Sequence, residues 1–139
     1  MLTTVQRIRL YALIIACTVI LVGILFSMQA RSKLRDIRLV SDVRSFSYAL
    51  EQHYTEFLRY PEAEINLKRP TTLTENGFAA GSRVYFSGTL KSFHPITYQG
   101  TEETYVIRFR LSNIWPSEGL NGVYCTVSAG YVVSCGDES

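Results

Sequence analysis

The sequence predicts an α+β protein: a long N-terminal helix, first transmembrane and then amphipathic, packed on a small antiparallel β-sheet head. Three observations carry this. Residues 10–28 (LYALIIACTVILVGILFSM) carry no charge and are almost wholly apolar. Residues 29–59 contain neither Pro nor Gly and repeat apolar side chains at helical spacing. Beyond Pro61 come short alternating runs separated by turn residues.

The 139 residues allow one globular domain at most. The organisation expected is an N-terminal segment 1–29 holding the span 10–28, an amphipathic extension 30–60, and a β-rich head 61–139. At about 1.5 Å per residue the apolar run reaches about 28 Å, close to the ~30 Å hydrocarbon thickness of a bilayer. It exceeds the 7–15-residue core of a cleaved secretory signal, and no A-x-A site follows it, so a retained anchor is expected. Residues 10–28 hold a lone Gly23 and no G-x-x-x-G helix-pairing motif.

The net charge of +2 gives no reason to expect nucleic acid as a partner. The basic residues are local. Arg7 and Arg9 precede the apolar run, and Arg31, Lys33, Arg35 and Arg38 follow it, where lipid headgroups would lie. Counted by the positive-inside rule, these flanks lean slightly towards a cytoplasmic head.

In the second half of the helix, Leu39, Val43, Phe46, Leu50, Tyr54 and Phe57 recur every three or four residues and define one packing or assembly stripe. The helix is expected to start near Thr4 and end near Arg59, with Pro61 stopping it. Residues 62–81 read as a loop region. Strands are expected at 83–90, at 104–111, at 123–128 and at 131–135. In 104–111, Tyr105, Ile107, Phe109 and Leu111 face one way and Arg108 and Arg110 the other. Packing this strand face on the helical stripe satisfies both in a two-layer domain. Residues 91–101 and 113–122 are loops, and Trp115 is expected to cap the sheet.

Of the three cysteines, Cys17 lies in the apolar run and is expected to pack as a small apolar residue. Cys125 and Cys135 flank a hairpin. A three-residue turn at 129–131 sets them directly opposite each other, and a two-residue turn offsets them by one. Their pairing would require an oxidising compartment. A cytoplasmic head would leave both as thiols.

No catalytic, cofactor or metal constellation is legible, and no enzymatic activity is expected. His53 falls one position off the stripe and His94 sits beside Pro95. Neither has a ligand partner at metal spacing, and Cys125 and Cys135 are not a C-x-x-C pair. Glu102 and Glu103 read as a solvated turn. No nucleophile elbow and no phosphate-binding glycine loop occurs.

Residues 30–61 (ARSKLRDIRLVSDVRSFSYALEQHYTEFLRYP) resemble the helix exit of type IV pilins and type II secretion pseudopilins. There an A-R-x-K-A-R-D-x-x-R-x-S-D-L segment leads to A-L-E-x-Y-Y and then Y-P. The matching residues are Ala30, Arg31, Lys33, Arg35, Asp36, Arg38, Ser41, Asp42, Ala49, Leu50, Glu51, Tyr54, Tyr60 and Pro61. YVIRFRLSN and NGVYCTVSAGYVVSC are similar to the final strands of small pilin-like proteins. The resemblance implies a cytoplasmic N-terminus, an extracytoplasmic head, and a Cys125–Cys135 bridge. It also implies partners: the membrane, other pilin-like subunits bundled through the helix, and pilus or secretion assembly proteins. It departs at the start. The family's cleavage point aligns near Thr4 and its helix glutamate near Ile8, yet no acidic residue precedes Asp36. The expectation is therefore a structural or accessory subunit of a pilus or pseudopilus. The alternative is a membrane-tethered binding or assembly-scaffold head that does not polymerise.

Overall fold

In the computed structural model the described backbone runs over residues 4–136, with side chains described from residue 11 onwards. The expectations placed on Arg7, Ile8 and Arg9 concern side chains outside the described residues. The chain divides into two compact units, Met1–Leu34 and Arg35–Ser139.

One α-helix, α1, covers Thr4–Phe57. The first unit is its apolar part. All side chains from 11 to 30 are exposed, Cys17 among them, and the helix is long and apolar enough to cross a membrane. Thr18 and Ser27 return their hydroxyls to carbonyls three or four residues back, so these polar atoms add no unmet donor to the apolar surface.

The second unit is the head: the rest of α1 and seven short strands. They are β1 (Ala63–Asn66), β2 (Thr71–Thr74), β3 (Val84–Gly88), β4 (Thr97–Gly100), β5 (Tyr105–Arg110), β6 (Tyr124–Ser128) and β7 (Val132–Gly136). Five form an antiparallel sheet in the order β1-β4-β5-β6-β7, and β2 and β3 form a separate hairpin sheet. This is the α+β architecture that the patterning predicts. The registers align Ile65, Tyr98, Ile107, Val127 and Val133 as one row across all five strands. Tyr98, Ile107 and Val127 are fully covered, and Ile65 and Val133 at the two outer strands half so. Leu39, Val43, Phe46 and Leu50 of α1 join the same core. Each such side chain removed from water stabilises by roughly 1.5–3 kcal/mol.

Three strands lie where loops are expected. β1 and β2 fall inside 62–81, and β4 falls inside 91–101. Each is only four residues long, and β1 and β4 (AEIN, TYQG) each bring a single large side chain to the core, Ile65 and Tyr98. Their pairing comes from ladder bonds to β4 and β5, which periodicity does not register. Gly100 illustrates the tertiary demand. A Cβ there would collide with the Tyr98 hydroxyl, which donates to the Pro61 carbonyl at 2.7 Å.

The helix ends slightly earlier than expected. Leu58 adopts φ 55° and donates its N–H to Tyr54 at 2.7 Å, so a left-handed cap closes α1 three residues before Pro61. The β6–β7 turn takes three residues, with Gly130 at φ 84° and Tyr131 at φ 65°. Cys125 therefore pairs in register with Cys135, and the two form a disulfide. Closing so short a loop restricts the unfolded chain by about 3 kcal/mol in the chain-entropy model.

Candidate interaction surface of the head

The inner face of α1 is consumed by its own head. Leu39, Val43, Phe46 and Leu50 are buried, Tyr54 is half-buried, and Phe57 is exposed at the rim, beside the rings of His53 and Tyr85. Those first four residues are not open to a neighbouring molecule. The buried stripe also includes residues that the apolar pattern omits. Asp36 and His53 extend it at the same three- and four-residue spacing, and both are 3 % exposed. A charged side chain at a stripe position was the available sign that Asp36 has a fixed partner.

That partner is the β5–β6 connection. The Asp36 carboxylate accepts from the Ser112 and Asn113 backbone N–H groups, each at 2.9 Å, and from Asn113 Nδ2 at 2.7 Å. One helix residue thus holds the start of the 112–122 segment. Within that segment Trp115 pairs with Leu120 through backbone bonds of 2.9 and 3.0 Å and is half-buried against the core. It caps the fold and also lines a surface groove.

Glu51 holds the other end of the sheet. Its carboxylate accepts from Tyr60 at 3.0 Å, from Tyr105 at 3.2 Å and from the Gly130 N–H at 2.9 Å. The Ser47 hydroxyl lies against Tyr105 as well. Tyr131 stacks on Tyr48, so the disulfide hairpin is fastened to α1 by one carboxylate and one ring pair. Burial pushes the Tyr60, Tyr98 and Tyr105 phenols well above their usual 10, with Glu51 adding to the shift of Tyr60 and Tyr105. The consequence has a definite sign. An unfolded chain releases these protons near pH 10 while the head retains them, so stability is complete below 10 and is lost as pH rises beyond it. The thermal midpoint of the head should stay flat from neutral pH to about 10 and then fall. Tyr98→Phe should flatten the alkaline limb, and an unchanged limb would refute the assignment of Tyr98.

The outward side of α1 remains open. Together with Trp115 and Leu120 it lines a groove of about 600 Å³, where Ile37, Val40 and Tyr48 supply apolar surface and Arg44 and Glu118 supply charge. Ile37 and Tyr48 are more than half exposed. No family model, curated protein or solved structure matches the chain.

His53 donates from Nδ1 to the Arg59 carbonyl at 3.0 Å and packs against Phe57 and Tyr85, while His94 sits in the β3–β4 loop. No group of three or more His, Cys, Asp or Glu side chains placed to hold a metal occurs among the described residues. Glu102 and Glu103 are exposed in the β4–β5 turn. Glu75 is held far below its ordinary range, at about 2, because it accepts first from the Ser82 N–H and also from Arg83 N–H and Ser82 Oγ. It closes the β2–β3 loop.

Proposed function

We propose that this chain is a pilin-like, membrane-held structural or accessory subunit of a type IV pilus or pseudopilus, with its head outside the cytoplasm. The observation that carries the reading is the use of one helix for two jobs: an exposed apolar stretch and, further along, a stripe buried under an antiparallel sheet. The Cys125–Cys135 disulfide supports an oxidising compartment for the head, against the lean of the flanking arginines. The outward groove at Ile37, Tyr48 and Trp115 offers a neighbouring subunit an apolar contact that the head leaves uncovered. The absence of any acidic residue before Asp36 favours a second reading, a tethered head that recognises a partner without polymerising.

Shearing cells and weighing the N-terminus of the released chain separates the two. Recovery in the filament fraction is the expected result. Retention of all the protein in the membrane with Met1 intact would replace the filament reading with the tethered one.

A further inference from the structure

A second opening of about 300 Å³ lies on the head between α1, the β3–β4 loop and the end of β5. Arg35 and Arg38 line it from the helix, Lys91 from the loop, and Arg110 from β5. All four are exposed. None is in an ion pair: the ion pair among the described residues is Arg83 with Glu56, elsewhere on the head. Two carboxylates face the same opening, Asp36 and Asp42, leaving an excess of two positive charges from four cations. Asp36 is moreover committed to the Ser112 and Asn113 amides.

One aromatic side chain completes the opening. Phe93 is 70 % exposed, and the Arg35 guanidinium lies over its ring at 4.6 Å from the centroid. Lys68 Nζ donates to the Phe93 carbonyl at 3.2 Å, so the loop that presents the ring is tied down. Arg110 lies over the Tyr124 ring at 5.0 Å, which leaves its charge outside any ion pair, and an exposed ring among such cations is the composition of a bilayer-interface contact. The ring enters the acyl boundary while the cations meet phosphates. Chain length permits this. Arg35 follows Met28, the last residue of the apolar run, by seven residues, which limits their separation to about 25 Å in any conformation.

We propose that Arg35, Arg38, Lys91 and Arg110, with Phe93, form a binding site for the phosphate headgroup of an anionic phospholipid in the leaflet on the head's side. The flanking Arg31 and Lys33 would attract any anionic surface through the chain's proximity alone. Lys91 and Arg110 belong to the site only because the fold brings the β3–β4 loop and β5 beside α1. The site rests on the membrane-held part of the reading above and is independent of filament assembly. Each cation near an anionic surface contributes about fivefold in affinity, in a salt-dependent manner.

The test uses the full chain in a nonionic detergent, with lipid adducts counted by native mass spectrometry. Phosphatidylglycerol should bind in preference to phosphatidylcholine. Lys91→Gln/Arg110→Gln should weaken phosphatidylglycerol binding about 25-fold, while Arg59→Gln/Arg69→Gln, at exposed cations outside the opening, should not. An equal preference for the two lipids, or a preference that survives Lys91→Gln/Arg110→Gln, would overturn the site. Inorganic phosphate displacing phosphatidylglycerol at matched concentration would also overturn it, by marking a free-anion site. Thermal unfolding of each variant checks that the head is intact. Cell fractionation tests the underlying reading separately: a chain absent from membranes defeats the anchor, whereas a membrane-held chain without lipid preference defeats only this site.

Discussion

Phe46→Ala should destabilise the head by about 3–5 kcal/mol, the range for emptying a fully buried aromatic position. Phe46 is completely buried, and its ring meets Phe86 at 5.0 Å, Tyr98 at 6.0 Å and Phe78 at 6.3 Å. Phe86 belongs to the β2–β3 hairpin and Tyr98 to the five-stranded sheet. One helical side chain is therefore the common contact of both sheets. Its loss leaves a void that neither sheet can fill without leaving the other. For a head of this size the thermal midpoint should drop by about 12 °C or more. Phe46→Leu, which retains most of the volume, should cost much less. Denaturant unfolding followed by circular dichroism reads both variants, and a cost below about 1.5 kcal/mol for the alanine would show that the two sheets do not depend on this contact.

Asp36→Ala ranks second, at about 2–4 kcal/mol. The carboxylate accepts from two backbone N–H groups and a side-chain amide, and the alanine variant removes that acceptor. Asp36→Asn keeps the shape and one acceptor oxygen but turns a donor towards the other amide, so it should lose about half as much. The distinguishing readout is amide hydrogen exchange. The Ser112 and Asn113 amides should exchange faster in Asp36→Ala, with the β4–β5 ladder little changed. Uniform acceleration throughout the head would mean that Asp36 acts on global stability and not as a local clasp.

Much of the architecture is legible from local pattern, for a physical reason that differs by element. The apolar run 10–28 and the stripe from Leu39 to Leu50 each span several helical turns, so their period stands above chance. β5 alternates over six residues because one face meets α1 and the other meets solvent. The β6–β7 hairpin was readable apart from its turn length, on which the register of Cys125 against Cys135 depended. β1, β2 and β4 were not readable, since four residues hold too few alternations to distinguish a strand from a loop. The two clasps were half visible. Asp36 stood three residues before Leu39, at stripe spacing, but a spacing cannot name a partner more than seventy residues away. Glu51 carried no local sign at all.

Local composition alone determined the apolar run, the amphipathic continuation of the helix and the α+β order of elements, because each depends on neighbours within a few turns of chain. Only the tertiary structure decided which side of the helix remains open. Burial of Leu39, Val43, Phe46 and Leu50 under the sheets leaves Ile37 and Tyr48 outward. It likewise decided that Lys91 and Arg110 stand beside Arg35 and Arg38, distant positions that no sequence spacing relates. Such convergence is a property of strand pairing, whose energy lies in backbone bonds and buried faces shared between segments, and those become defined only when the segments meet.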